Sequence, residues 1–211
     1  MEELADKKKA LTLSDQARIV FKWVLNPIAA FFNRLGIMPN TMTILGLLGN
    51  AIGAFFLMQG DFRLGGLIIL VMGLVDALDG TMARLRGESS DFGAFVDSVT
   101  DRYSELVIFC GLLIYYVRQV DWLAIALVYL SAAGSILVSY VRARAQSVGI
   151  ETKVGLLTRL ERYLVLVPAL VFNIPIIGLW IIAIFANLTA LQRILDVRRQ
   201  FRSKSNQKRG L

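Results

Sequence analysis

Between residues 41 and 197 the chain strings together six apolar runs, approximately 41–59, 63–85, 91–117, 121–146, 156–173 and 175–197. Turns such as QGD, RGESS, RQVD and NIP join them. Runs of this length approach the roughly 20 residues a helix needs to cross a bilayer core. Lipid offers no partner to an open backbone polar group, so such runs fold as helices. With 56% of its 211 residues hydrophobic, the chain reads as an all-α integral membrane protein with six transmembrane helices. Residues 14–35 precede them and mix apolar and basic positions at helical spacing, as an interfacial amphipathic helix does. Pro39 interrupts that pattern in GIMPN, and Asn40 or Thr41 is expected to cap the first span.

No internal repeat or second domain is visible, so residues 1–211 read as one membrane domain. It comprises the interfacial helix 14–35, a six-span bundle 41–197 and a basic tail 198–211, the last expected to be disordered. The charged start lacks the apolar core and cleavage site of a signal peptide, so no processing is expected. Of the 23 Lys and Arg residues, 20 lie in the N-terminal segment, the 84–91 turn, the 142–162 connection and the C-terminal end. Such a bias places both termini on the cytoplasmic side of the cell membrane. The net charge of +7 suits anionic lipid headgroups better than nucleic acid, which is not expected as a partner. A single Cys110 and the absence of histidine exclude an internal disulfide framework and a Cys-based metal cluster, and remove the commonest general base.

Against this apolar background stands the stretch DALDGTMARLRGESSDFGAFVDSVTD, residues 76–101. At about 100° per residue, Asp76, Asp79, Gly80, Ala83 and Arg84 share one helical face within an arc of roughly 140°. Gly93, Asp97 and Asp101 recur every four residues and form a second stripe on the next span. A short turn joins the two spans, so the stripes can face each other. Four carboxylates in a partly dry bundle repel one another and are costly to desolvate without cations. Oxygen-only ligation points to a hard divalent ion, Mg²⁺ first with Mn²⁺ or Ca²⁺ as alternatives. Four carboxylates could hold two ions, an arrangement that clamps the attacking and leaving oxygens of a phosphoryl group. Taken singly, Gly93 reads as close helix packing and Arg84 as a membrane anchor; on the aspartate face, Arg84 reads as a phosphate contact. A cation transporter is the competing class, because intramembrane carboxylates also mark ion paths. The position of the acids near one surface, beside an arginine and without a half-repeat, favours an enzyme.

The eight residues Asp76, Asp79, Gly80, Ala83, Arg84, Gly93, Asp97 and Asp101 reproduce D-x2-D-G-x2-A-R-x8-G-x3-D-x3-D with full spacing. The chain thereby resembles the CDP-alcohol phosphotransferase family. That resemblance implies transfer of a phosphatidyl group from a CDP-linked lipid, CDP-diacylglycerol or an ether analogue, to an alcohol with release of CMP. It implies Asp76, Asp79 and Asp97 as metal ligands, with Asp101 both touching metal and accepting the proton. It further implies a CDP-lipid site of Gly80, Ala83, Arg84, Ser90 and the NTMT segment, Asn40, Thr41, Met42 and Thr43, and suggests a homodimer.

The segments SYVRARAQSVG and LLTRLERYL resemble members of the family that use inositol phosphate. They supply Arg142, Arg159 and Arg162, and Arg193 follows at the end of the last span. Converging guanidinium groups suit an acceptor that is itself a phosphate. The expected acceptor is inositol phosphate, with glycerol 3-phosphate as the alternative. Positive-inside anchoring accounts equally well for any one of these arginines.

Overall fold

The computed structural model describes residues 13–87, 90–152 and 154–209. Seven helices follow in order: α1 (Leu13–Arg34), α2 (Pro39–Gln59), α3 (Phe62–Arg86), α4 (Asp91–Arg118), α5 (Trp122–Ser147), α6 (Arg159–Val171) and α7 (Pro175–Arg209). Four of them, α2, α3, α5 and α7, are long and apolar enough to cross a membrane. The chain is a membrane protein. Its outward surface agrees, with Ile52, Phe55, Leu67, Leu130, Ile177 and Ile184 all exposed. Such a surface is stable only against lipid or another apolar partner.

Local chemistry sets where the helices stop and start. Gly60 and Gly87 take left-handed φ of 88° and 66° and close α2 and α3, a conformation that glycine adopts without strain. Asp61, Ser90 and Asp121 then cap α3, α4 and α5 by accepting hydrogen bonds from the amides of Leu64, Gly93 and Ala124. At α2 the cap differs from expectation. Met38 is the cap residue and Pro39 opens the helix, because a proline in the first position lacks only an amide that has no partner there. Asn40 and Thr41 therefore lie inside the first turn. Thr158 precedes α6, and its hydroxyl donates to the Glu161 carboxylate rather than accepting from a backbone amide of the first turn.

Two other boundaries depart from the sequence reading. At 13 residues, α6 is about 20 Å long and begins at Arg159, three residues later than the expected run. Residues 198–209 continue α7 as helix where a disordered tail was expected. An established helix extends more readily than a new one nucleates, and Gln200 fastens the extension by donating to Asp196 and to the Glu151 carbonyl.

Helix α2 packs against both α3 and α4, α5 packs against α7, and α6 lies against α3 and α7. One core runs through this bundle and includes Leu57, Ile69, Leu112, Leu127, Leu170, Leu179 and Ile182. A smaller cluster of Ala29, Met42, Leu78 and Met82 joins α1 to α2 and α3. Arg86 reinforces that junction, its guanidinium donating to Asn33 Oδ1 and the Ile37 carbonyl, each at 2.8 Å. Helices α2 and α4 approach each other closely at Gly111. A Cβ added at Gly111 would lie 2.5 Å from the Ala54 carbonyl oxygen, a backbone atom that cannot step aside.

Gly111→Ala should therefore destabilise the fold by about 1–3 kcal/mol, read as a lower thermal midpoint in detergent. Gly46→Ala, where an added Cβ meets nothing within 4 Å, should leave the midpoint unchanged or raise it, because alanine favours helix over glycine.

Candidate active site

The turn that reverses the chain between α3 and α4 brings their two acidic stripes together. Asp76 of α3 and Asp97 and Asp101 of α4 each offer a carboxylate oxygen, and these atoms lie within 4.8 Å of one another. Asp101 is buried and Asp76 and Asp97 are half-buried. A third helix supplies a countercharge. Arg159, in the first turn of α6, reaches Asp76 Oδ2 at 2.9 Å and also pairs with Asp101.

Asp79, one turn along from Asp76, is not part of this triad. Its carboxylate accepts a 2.7 Å hydrogen bond from Thr43 Oγ1 and another from the Gly80 amide. It remains within electrostatic range of Asp76 and Asp97. Gly80 and Gly93 border the same space, and an added Cβ at either would meet no atom of another helix within 4 Å. Close packing against another helix therefore does not explain these two glycines. The donor set of hard oxygens, without nitrogen or sulfur, fits Mg²⁺ or Mn²⁺.

The residues expected to hold the CDP-lipid divide. Asn40, Thr41, Arg84 and Ser90 are exposed and Ala83 is half-buried. Arg84 donates to Thr81 at 3.0 Å, and the Ser90 hydroxyl caps α4. Met42 is buried in the small core cluster, and Thr43 binds Asp79. The four expected acceptor arginines also differ. Arg142 is exposed on α5. Arg162 is 2% exposed and forms a two-pronged pair with Glu105. Arg193 is 3% exposed and donates to the carbonyls of Val138 and Val154 at 2.7 and 2.9 Å. The charges of Arg102, Arg142 and Arg162 all bear on Arg193.

Glu105, Arg102 and Tyr163 escaped the sequence reading. Glu105 was legible, since it extends the Asp97 and Asp101 stripe by four further residues. Tyr163, whose hydroxyl bonds the Ile69 carbonyl at 2.7 Å and ties α6 to α3, carried no such signal.

The family model for CDP-alcohol phosphatidyltransferase matches residues 36–192. The chain belongs to this family. This transferase is 37% identical over 205 residues to the phosphatidylinositol phosphate synthase of Streptomyces avermitilis, covering 89% of this chain and 83% of that one. It is 35% identical over 181 residues to the archaetidylinositol phosphate synthase of Pyrococcus horikoshii, covering 85% and 93%. Among solved structures, the phosphatidylinositol phosphate synthase of Mycobacterium tuberculosis with CDP-DAG bound gives a TM-score of 0.76 at 29% identity, over 82% of this chain and 93% of that one. The same enzyme in complex with manganese and citrate gives 0.74 at 31% identity, over 82% and 88%.

In this transferase Asp76→Ala should abolish Mn²⁺ binding measured by electron paramagnetic resonance titration of the detergent-solubilised protein. Thr43→Val, which removes only the hydroxyl that orients Asp79, should weaken it about tenfold, as loss of an outer partner of a ligand does. Thr43→Ser should retain wild-type affinity.

Proposed function

We propose that this transferase moves a phosphatidyl group from CDP-diacylglycerol, or an ether analogue, to the hydroxyl of inositol phosphate and releases CMP. The observation that carries this reading is Arg159. A guanidinium from α6 stands against Asp76 and Asp101; Arg102 lies within electrostatic range of Arg159 and Arg162, and Arg102, Arg142 and Arg162 lie within that of Arg193. This much positive charge beside a phosphoryl-transfer site suits an acceptor that carries its own phosphate. Similarity to a phosphatidylinositol phosphate synthase of Streptomyces and an archaetidylinositol phosphate synthase of Pyrococcus supports inositol phosphate over glycerol 3-phosphate.

In the proposed mechanism Arg159 holds the acceptor phosphate, and Arg142 approaches it from α5. Arg162 and Arg193 add charge to the same cluster while their donors remain engaged with Glu105 and with backbone carbonyls. The acceptor hydroxyl is thereby carried to Asp101. Its oxygen attacks the phosphorus that bears the lipid, the bond from that phosphorus to the CMP oxygen breaks, and the proton passes to the Asp101 carboxylate. Asp76, Asp79, Asp97 and Asp101 would hold two Mg²⁺ ions, with Mn²⁺ as a substitute. Those ions would offset charge on the diphosphate and favour deprotonation of the hydroxyl. Gly80 and Gly93 leave the diphosphate access to the acids. Asn40, Thr41, Ala83, Arg84 and Ser90 line the nucleotide side, and Met42 and Thr43 shape it from behind.

The proposed setting is a single domain in the cytoplasmic membrane, with α2 to α7 as six spans and α1 on the interface. The loop charges support cytoplasmic termini and a cytoplasmic active site. The family resemblance supports a homodimer.

Purified protein with Mg²⁺ and CDP-diacylglycerol should release CMP with inositol phosphate, and more slowly or not at all with glycerol 3-phosphate or serine. Equal turnover with serine would overturn the acceptor assignment. Asp101→Asn should lower turnover by roughly 10²–10⁴, the usual contribution of a general base, with an unchanged thermal midpoint and retained CDP-lipid binding. Wild-type turnover in this variant would remove Asp101 from the base role.

A further inference from the structure

On α4 Asp101 and Glu105 are four residues apart, and on α6 Arg159 and Arg162 are three apart, so each helix presents two charges on one face. They meet as a ladder. Its first rung is Arg159 with Asp101. Its second is Arg162 with Glu105, Nε to Oε1 at 2.8 Å and Nη2 to Oε2 at 3.2 Å. The rungs differ in character. The Arg159 side chain is 44% exposed, whereas that of Arg162 is 2% exposed and gripped at two points. Arg162 Nη1 also donates to the Leu157 carbonyl at 3.3 Å, so the same guanidinium holds the residues that lead into α6. Glu105 in turn lies close to Arg102 and to Ser135 of α5. Helix α6 packs against α3 and α7, and it reaches α4 through these charged side chains.

The reaction described above gives Glu105 no task. We propose that Glu105 is a positioning residue: through Arg162 it fixes the first turn of α6, and so fixes where Arg159 presents its guanidinium to the acceptor beside Asp101. Its kinetic half rests on the phosphorylated-acceptor reading. Two parallel bonds between a buried guanidinium and a half-buried carboxylate define direction as well as distance. The remaining freedom of Arg159 is then that of its own side chain, since its backbone is held one turn away. A displacement near 1 Å at such a group is enough to slow a reaction substantially.

The test compares Glu105→Gln, Arg162→Gln and the double variant, all as full chains in nanodiscs with Mg²⁺. Glu105→Gln should raise the acceptor KM about tenfold and leave the CDP-lipid KM within about twofold. It should also lower the thermal midpoint, because Arg162 is left buried without its partner. The double variant removes both charges. Its midpoint should recover, while its acceptor KM stays raised and no worse than that of the poorer single variant.

Hydrogen exchange adds a readout that needs no substrate: Glu105→Gln should speed exchange in the first turns of α6 and leave α2 and α5 unchanged. If both KM values rise together, or if the double variant regains the wild-type acceptor KM along with its midpoint, Glu105 serves stability alone and the proposal falls. If the wild type turns over no phosphorylated alcohol, the acceptor reading fails instead. Exchange in α6 then still decides the positioning role, faster exchange upholding it and unchanged exchange overturning it.

Discussion

A carboxylate inside a membrane bundle must be compensated or it unfolds the structure around it, and the arrangement of this protein follows from that requirement. Asp79 and Asp101 are 5% and 6% exposed, and stripping water from an ionised group costs several kcal/mol. Compensation arrives from different helices. Thr43 on α2 serves Asp79, while Arg159 on α6 serves Asp76 and Asp101. Helix α6 can do this because it starts late, after a connection that delivers its first turn to the acidic end of the bundle. Its charged start and its tie to Glu105 belong to one device.

The same requirement explains how α4 combines charge with a lipid-compatible exterior. Gly93, Asp97, Asp101 and Glu105 form one stripe at four-residue spacing, turned toward α3 and α6. Phe92, Phe95, Val99, Tyr103 and Leu106 form another at spacings of three and four, and all five are exposed. A helix rotates by 100° per residue, so both stripes fit on one cylinder without mixing. Helix α4 therefore lacks an apolar stretch like those of α2, α3, α5 and α7, while its charged and apolar faces stay separate.

That separation also marks what the sequence could tell. The helical fold and the facing of the aspartate stripes were legible, because each depends on spacing within one helix or on the short turn between two. The pairing of Asp79 with Thr43 was not, since it depends on how α2 rotates against α3. Nor was the burial of Arg162 and Arg193. An arginine near a span end has the same sequence signature whether it meets lipid headgroups, a ligand, or carbonyls of a neighbouring helix. The start of α2 was misread for a related reason. A proline next to Asn and Thr offers two plausible first turns, and only the backbone at Met38 separates them. The helical continuation after residue 197 was hidden by composition, which records charge and not the contacts of Gln200.

In the proposed reading, the two substrates meet groups from different helices. The nucleotide side draws on α2, α3 and the start of α4, whose backbones are locked by approaches as close as that of Gly111 to Ala54. The acceptor side draws on α5, α6 and α7, where long arginines bridge the gaps. Backbone contact permits little adjustment, whereas a guanidinium on a flexible stem can be re-aimed by moving the group it is paired with. Donor recognition is therefore set by the packing of the bundle. On the same proposal, acceptor recognition is set by a small number of charge pairs, among them the one between Glu105 and the buried Arg162.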